Sequence, residues 1–96
     1  MLMITENRNE SVLVFKLAGM LASDWVVEFD KCWRNATSSF SAAAVTVDLS
    51  EVTYVDETGR DLLSEMVKTG AELIARDLLM KSIVEEIRRQ ASQPVA

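Results

Sequence analysis

The sequence predicts an α/β fold: a four-stranded mixed sheet, an opening hairpin followed by parallel strands, with about three helices packed mainly on one face. Three observations predict it. Apolar and polar residues alternate in stretches near both ends of the first half, which is the period of a strand. Apolar residues then recur three and four positions apart in three other stretches, which is the period of a helix. After the first two strands the two kinds of segment take turns, and such a succession in one sheet implies right-handed crossovers and parallel pairing.

Leu2 to Glu6 reads as a first short strand, and Asn7 to Glu10 as a polar turn. Ser11 to Leu17 sets Val12, Val14 and Lys16 against Leu13, Phe15 and Leu17, a strand covered on at least one face. A hairpin joins these two strands, and Gly19 breaks the second. Ser23 is the expected helix N-cap, with Asp24 in the first turn. Trp25, Val26, Phe29, Cys32 and Trp33 follow at helical spacing, with Glu28, Asp30, Lys31 and Arg34 opposite, and the helix ends near Asn35.

Ser38 to Ala44 reads as a connecting loop. Val45, Val47 and Leu49 alternate with Thr46 and Asp48 in the next strand; a second short strand, the turn Asp56-Glu57-Thr58-Gly59 and a helix from about Thr58 to Thr69 follow. Gly70 suits that helix's C-terminus. Ala71 to Ala75 is a short strand. Leu78, Leu79, Ile83, Val84 and Ile87 mark a last helix, with Arg88 and Arg89 favourable near its end. The tail 91–96 holds the only proline and is expected to fray.

Ninety-six residues, 49% of them hydrophobic and 26% charged, suit one globular domain spanning 1–96. A net charge of −5 argues against sequence-independent nucleic-acid binding and against docking on an anionic membrane. The single cysteine, Cys32, rules out an internal disulfide and suits a cytoplasmic setting. No signal peptide is visible, and the apolar runs fall far short of the ~20 residues that span a bilayer, so no membrane insertion is expected.

Chemistry is poorly supplied. Histidine, the commonest acid/base group and metal ligand, is absent. One cysteine cannot build a thiolate zinc cage, and no glycine-rich phosphate loop occurs. Asp48, Glu51, Asp56, Glu57 and Asp61 cluster in sequence, but not at the spacing of a calcium loop, and read as a solvated acidic turn. No catalytic residue, metal or cofactor is assigned, and an enzyme is not expected. Cys32, Trp25 and Trp33 read as core residues; an exposed tryptophan would instead mark a partner surface.

Thr58 has two readings. Its hydroxyl can cap the following helix, with Asp61 as the capping-box carboxylate. Alternatively it is an exposed hydroxyl at a helix N-terminus, where a phosphate is tolerated.

Val47-Asp48-Leu49-Ser50, the apolar stretch ending at Asp56, and Thr58-Gly59 opening a helix resemble the pattern of the STAS domain, named for sulfate transporters and anti-sigma factor antagonists. Leu17 to Leu21 and Gly70 to Leu73 resemble two further segments of that family. The resemblance runs from about Ser11 to Ile87. It implies a STAS-like sheet and a small non-enzymatic cytoplasmic regulator that binds a protein partner, an anti-sigma factor kinase. That kinase would phosphorylate the position of Thr58 and so release the complex. The implied partner-binding turn is Asp56, Glu57, Thr58, Gly59 and Arg60, supported by Asp48, Ser50 and Asp61. Two departures stand out: Glu57 replaces the usual small residue before the hydroxyl, and the chain ends without the last strand or helix of longer members. That missing cover would leave apolar surface for a homodimer or another protein. The family also contains accessory subunits of transport systems (ABC lipid or anion), which makes a transporter component the alternative partner, and a small-ligand sensor is a third reading.

Overall fold

In the computed structural model, which describes residues 1–8, 11–38 and 44–92, the chain forms β1 (Leu2–Arg8), β2 (Leu13–Leu21), α1 (Asp24–Ala36), β3 (Val45–Val55), α2 (Glu57–Lys68), β4 (Glu72–Ile74) and α3 (Leu78–Ser92). The four strands make one sheet in the order β1-β2-β3-β4. β1 runs antiparallel to β2, with Leu2 opposite Gly19 and Arg8 opposite Leu13. β3 is parallel to β2 and β4 is parallel to β3. This is the mixed sheet that the order of periods predicts.

Alternation along the strands decides where the core lies. Leu13, Phe15 and Leu17 on β2, and Val45, Val47 and Leu49 on β3, are fully buried. The residues between them, such as Lys16 and Asp48, project from the other face, because successive side chains of a strand point to opposite sides. The helices close over the buried face with Phe29 and Trp33 of α1, Leu63 and Met66 of α2, and Met80 and Ile87 of α3. Phe15 and Phe29 meet edge to face, centroids 5.4 Å apart at 85°. That is the favoured arrangement of two ring quadrupoles, and it seats α1 on the middle of β2.

Gly19 does not end the second strand. β2 continues to Leu21, and the pairing with β3 shifts register on either side of Gly19, which sits at φ +106°. A Cβ at this position would overlap the Met1 carbonyl oxygen. That same carbonyl accepts the Met20 N–H at 3.0 Å. The glycine therefore marks a bulge, where an L-residue is strained and the neighbouring backbone comes close. The extension of β2 also explains a second difference. β3 is one strand from Val45 to Val55 rather than two, because Leu21 still offers a partner to Val55.

At the end of α2 the Gly70 N–H donates to the Val67 carbonyl and the Ala71 N–H to the Met66 carbonyl, both at 3.0 Å. With Gly70 at φ +111° this is a Schellman closure, as the glycine predicts. On the outer edge, Arg88 of α3 donates to the Leu73 carbonyl of β4 at 2.8 Å. A side chain from the covering helix thus satisfies part of an edge strand. The centre of the expected hairpin turn (9–10), most of the 38–44 loop and the end of the tail (93–96) lie outside the described residues.

Candidate functional site

β3 hands over to α2 at Asp56, whose backbone is extended (φ −82°, ψ −178°) and whose side chain caps the helix. Asp56 Oδ1 accepts the Gly59 N–H at 2.8 Å and the Thr58 hydroxyl at 2.8 Å. Its Oδ2 accepts the Ser23 N–H at 2.9 Å, and its own N–H donates to the Leu21 carbonyl at 3.1 Å. One residue thus joins the end of β2 through its backbone N–H, and the entry to α1 and the first turn of α2 through its carboxylate. These donors, the Ser23 N–H foremost and then Gly59 N–H, hold the Asp56 carboxyl below the usual carboxylate range.

Two sequence expectations are corrected at this junction. Thr58 does not cap α2 with Asp61 as its capping-box partner; it is the second residue of the helix, and Asp56 two positions earlier does the capping. The carboxylate wins because it stands at the end of the extended strand, the backbone state a cap requires. Ser23 precedes α1 but makes no side-chain cap. It sits at φ 54°, in the left-handed region, with its N–H turned to Asp56.

Gly59 is buried for a geometric reason. A Cβ built on it would lie 2.7 Å from the Leu21 carbonyl oxygen and 2.9 Å from Val55 Cγ1. Only glycine lets the first turn of α2 close against the ends of β2 and β3. Its neighbour Thr58 is exposed, and the hydroxyl's oxygen still has lone-pair capacity beyond the bond it donates to Asp56.

The first turn of α2 stands between two clefts. Toward α1 lies a groove of about 250 Å³, lined by Val27, Asp30 and Arg34 of α1 and Thr58, Asp61 and Glu65 of α2. Arg34 bridges it, 3.0 Å from Asp30 and 3.6 Å from Glu65. Three carboxylates and one guanidinium leave the groove acidic. Toward α3 lies a cleft of about 460 Å³, onto which Glu57, Arg60 and Asp61 open opposite Glu86 and Arg89. Arg60 reaches Glu86 across it at 3.4 Å.

The structure therefore brings Asp56, Glu57, Thr58, Gly59, Arg60 and Asp61 together. It does not bring Asp48 and Ser50 to them. Asp48 lies in register between Lys16 and Ile74 on the sheet face away from the helices. Its carboxyl is kept low, first of all by hydrogen bonding with Ser50, whose N–H it accepts at 2.9 Å. Ser23 belongs to the junction and Val27, Asp30 and Glu65 to its groove, and the sequence reading assigns none of them to a site. Val27 carries the one available signal, an apolar residue off the buried Val26–Phe29–Trp33 stripe, and it is 54% exposed. Trp33 is in the core, but Trp25 is 39% exposed. Two positions from Val27, Trp25 looks away from the groove.

Among the described residues no group of three or more histidine, cysteine, aspartate or glutamate side chains could hold a metal ion. Among them, too, no helix is long and apolar enough to cross a membrane.

No family model matches the chain, and no curated protein matches it. Solved structures do. An anti-sigma factor antagonist from Mycobacterium paratuberculosis superposes with a TM-score of 0.80 at 16% identity, covering 98% of this chain and 84% of its own. The antagonist SpoIIAA in its unphosphorylated form gives 0.69 at 12% identity, over 86% of this chain and 82% of its own. An uncharacterised Shewanella loihica protein with a SpoIIAA-like fold gives 0.60 at 13% identity, over 93% and 79%. The chain has the fold of the anti-sigma factor antagonists, the STAS fold, over nearly its whole length.

Proposed function

We propose that this protein is a non-enzymatic, cytoplasmic regulatory module of the anti-sigma factor antagonist kind. It binds a protein partner through the first turn of α2 and the adjoining groove, and phosphorylation at Thr58 switches that binding. One observation carries the reading: an exposed hydroxyl on the first turn of α2, beside an open groove, in a chain with the antagonist fold. The lack of histidine supports a binding role over catalysis.

The switch follows from charge. A phosphate on Thr58 adds roughly −1.5 to −2 charges. The site already holds Asp56 and Asp61, with Glu57 adjacent in sequence. Helix N–H groups stabilise the phosphate locally, so the modification acts on binding rather than on folding. A partner such as a kinase-type anti-sigma factor, seated against the unmodified turn, meets a dianion after transfer, and repulsion and desolvation expel it.

Affinity capture from the source cells, with mass spectrometry of the Thr58 peptide, tests this. The captured partner should bind Thr58→Ala like the wild type and Thr58→Glu more than about tenfold more weakly. A Thr58 peptide never found phosphorylated, together with equal binding of Thr58→Glu and wild type, would remove the switch.

A further inference from the structure

The start of α3 exposes apolar surface that the fold does not use. Leu78 is 87% exposed and Leu79 66%, while Met80, Val84 and Ile87 of the same helix are buried. The pair is not at a loose end. Asp77 Oδ1 accepts the Met80 N–H at 3.1 Å and the Asp77 carbonyl accepts the Lys81 N–H at 2.9 Å, which anchors the turn carrying both leucines. Arg76 and Lys81 flank them, exposed, with the Asp77 carboxylate between; neither cation is in a salt bridge among the described residues, though Arg76 lies near enough to Asp48 to help hold its carboxyl low. This is an apolar knob whose rim carries two cations against one carboxylate, a net basic patch on a chain whose net charge is −5.

The groove between α1 and α2 has the opposite character. Val27 offers exposed apolar surface, and Asp30, Asp61 and Glu65 rim it against Arg34 alone. Knob and groove match in polarity and in charge, and each is open. We propose that the Leu78–Leu79 knob of one copy docks in the α1–α2 groove of a second copy, so that the protein self-associates head to tail. The two surfaces lie on different elements, so the contact is heterologous: a pair still has one free knob on one copy and one free groove on the other. Charge complementarity selects the second copy, since Arg76 and Lys81 meet Asp61 and Glu65 across the contact. The contact is small, which places it among weak, reversible associations. It uses the groove's shape and charge only and stands whether or not Thr58 is ever modified.

Sedimentation of the full chain with two exposed-residue variants tests it. Wild type should gain mass with concentration up to about 1 mM, where a weak contact of this kind is populated. Leu78→Ser/Leu79→Ser, without a knob, and Asp61→Lys/Glu65→Lys, without a groove, should each stay monomeric. Mixed one to one, they should pair through the remaining knob and groove into a dimer and nothing larger, at least tenfold more readily than either pairs with itself. Should either double variant lose its circular dichroism, the single swaps Lys81→Glu and Asp61→Lys replace it. Each should then weaken association, and their mixture, which keeps one intact knob and one intact groove, should restore it. A monomeric wild type would overturn the proposal. So would a groove variant that associates like wild type, which means a symmetric contact elsewhere. Phosphatidylserine vesicles binding a monomeric wild type through the leucines would overturn it as well.

Discussion

Asp56 accepts three hydrogen bonds from two helix entries, and its worth can be read by removing it in stages. Asp56→Ala leaves the Gly59 and Ser23 N–H groups without their acceptor and should cost about 1–2 kcal/mol, the usual range for a lost cap. Asp56→Asn keeps a capping oxygen but presents NH₂ in place of the second one, so it should cost less and release the Ser23 tether first. The sign with pH is fixed by the lowered carboxyl. Such a group adds stability that is present above the unfolded value of about 3.9 and is lost as pH falls through the folded value. Urea titrations of wild type and Asp56→Ala should therefore differ most near neutrality and converge below pH 4. The location of Thr58 at a helix start was legible in the sequence; its failure to cap was not. Aspartate and threonine are both capping residues, aspartate the stronger, and the choice between Asp56 and Thr58 rests on which one holds the extended backbone.

At the scale of elements, the packing of α2 on the sheet depends on a missing side chain. Gly59→Ala puts a methyl group 2.7 Å from the Leu21 carbonyl oxygen, and backbone is slow to yield. The helix start must lift from β2 and β3, and the substitution should destabilise by about 1–3 kcal/mol despite alanine's better helix propensity. Thermal unfolding that is unchanged or raised in Gly59→Ala would mean that the junction adapts. The neighbouring case shows where pattern reading stops. Helices and strands announce themselves by period, so all seven elements were legible, and Gly70 marked the end of α2 correctly. Gly19 resembles it in sequence yet sits inside β2, since a glycine ends a strand or bulges it according to what lies beside it. Here that neighbour is the Met1 carbonyl, eighteen positions away, and no local pattern contains it.

For the whole molecule, the one-sided layering was legible in the alternation of β2 and β3, but the distribution of charge over the closed surface was not. Sequence shows acidic residues clustered around the α2 start and a net charge of −5. Only the packing of α1 beside α2 turns Asp30, Asp61 and Glu65 into one rim, and only the anchored turn of α3 sets Arg76 and Lys81 around two exposed leucines. The two rims make opposite predictions about salt from those of a purely apolar contact. Exposed charges lose most of their mutual attraction beyond a Debye length, which shrinks from about 10 Å at 0.1 M to about 3 Å at 1 M salt. Burial of leucine against valine does not weaken in this way and is strengthened by sulfate. If the rims steer the head-to-tail contact, sodium chloride between 0.1 and 1 M should lower the sedimenting mass of the wild type. The effect should be smaller for Lys81→Glu, which has already lost one attractive charge. Association that grows with sodium chloride would show that the leucines act without their basic rim, and the charge argument for the groove as their seat would fall.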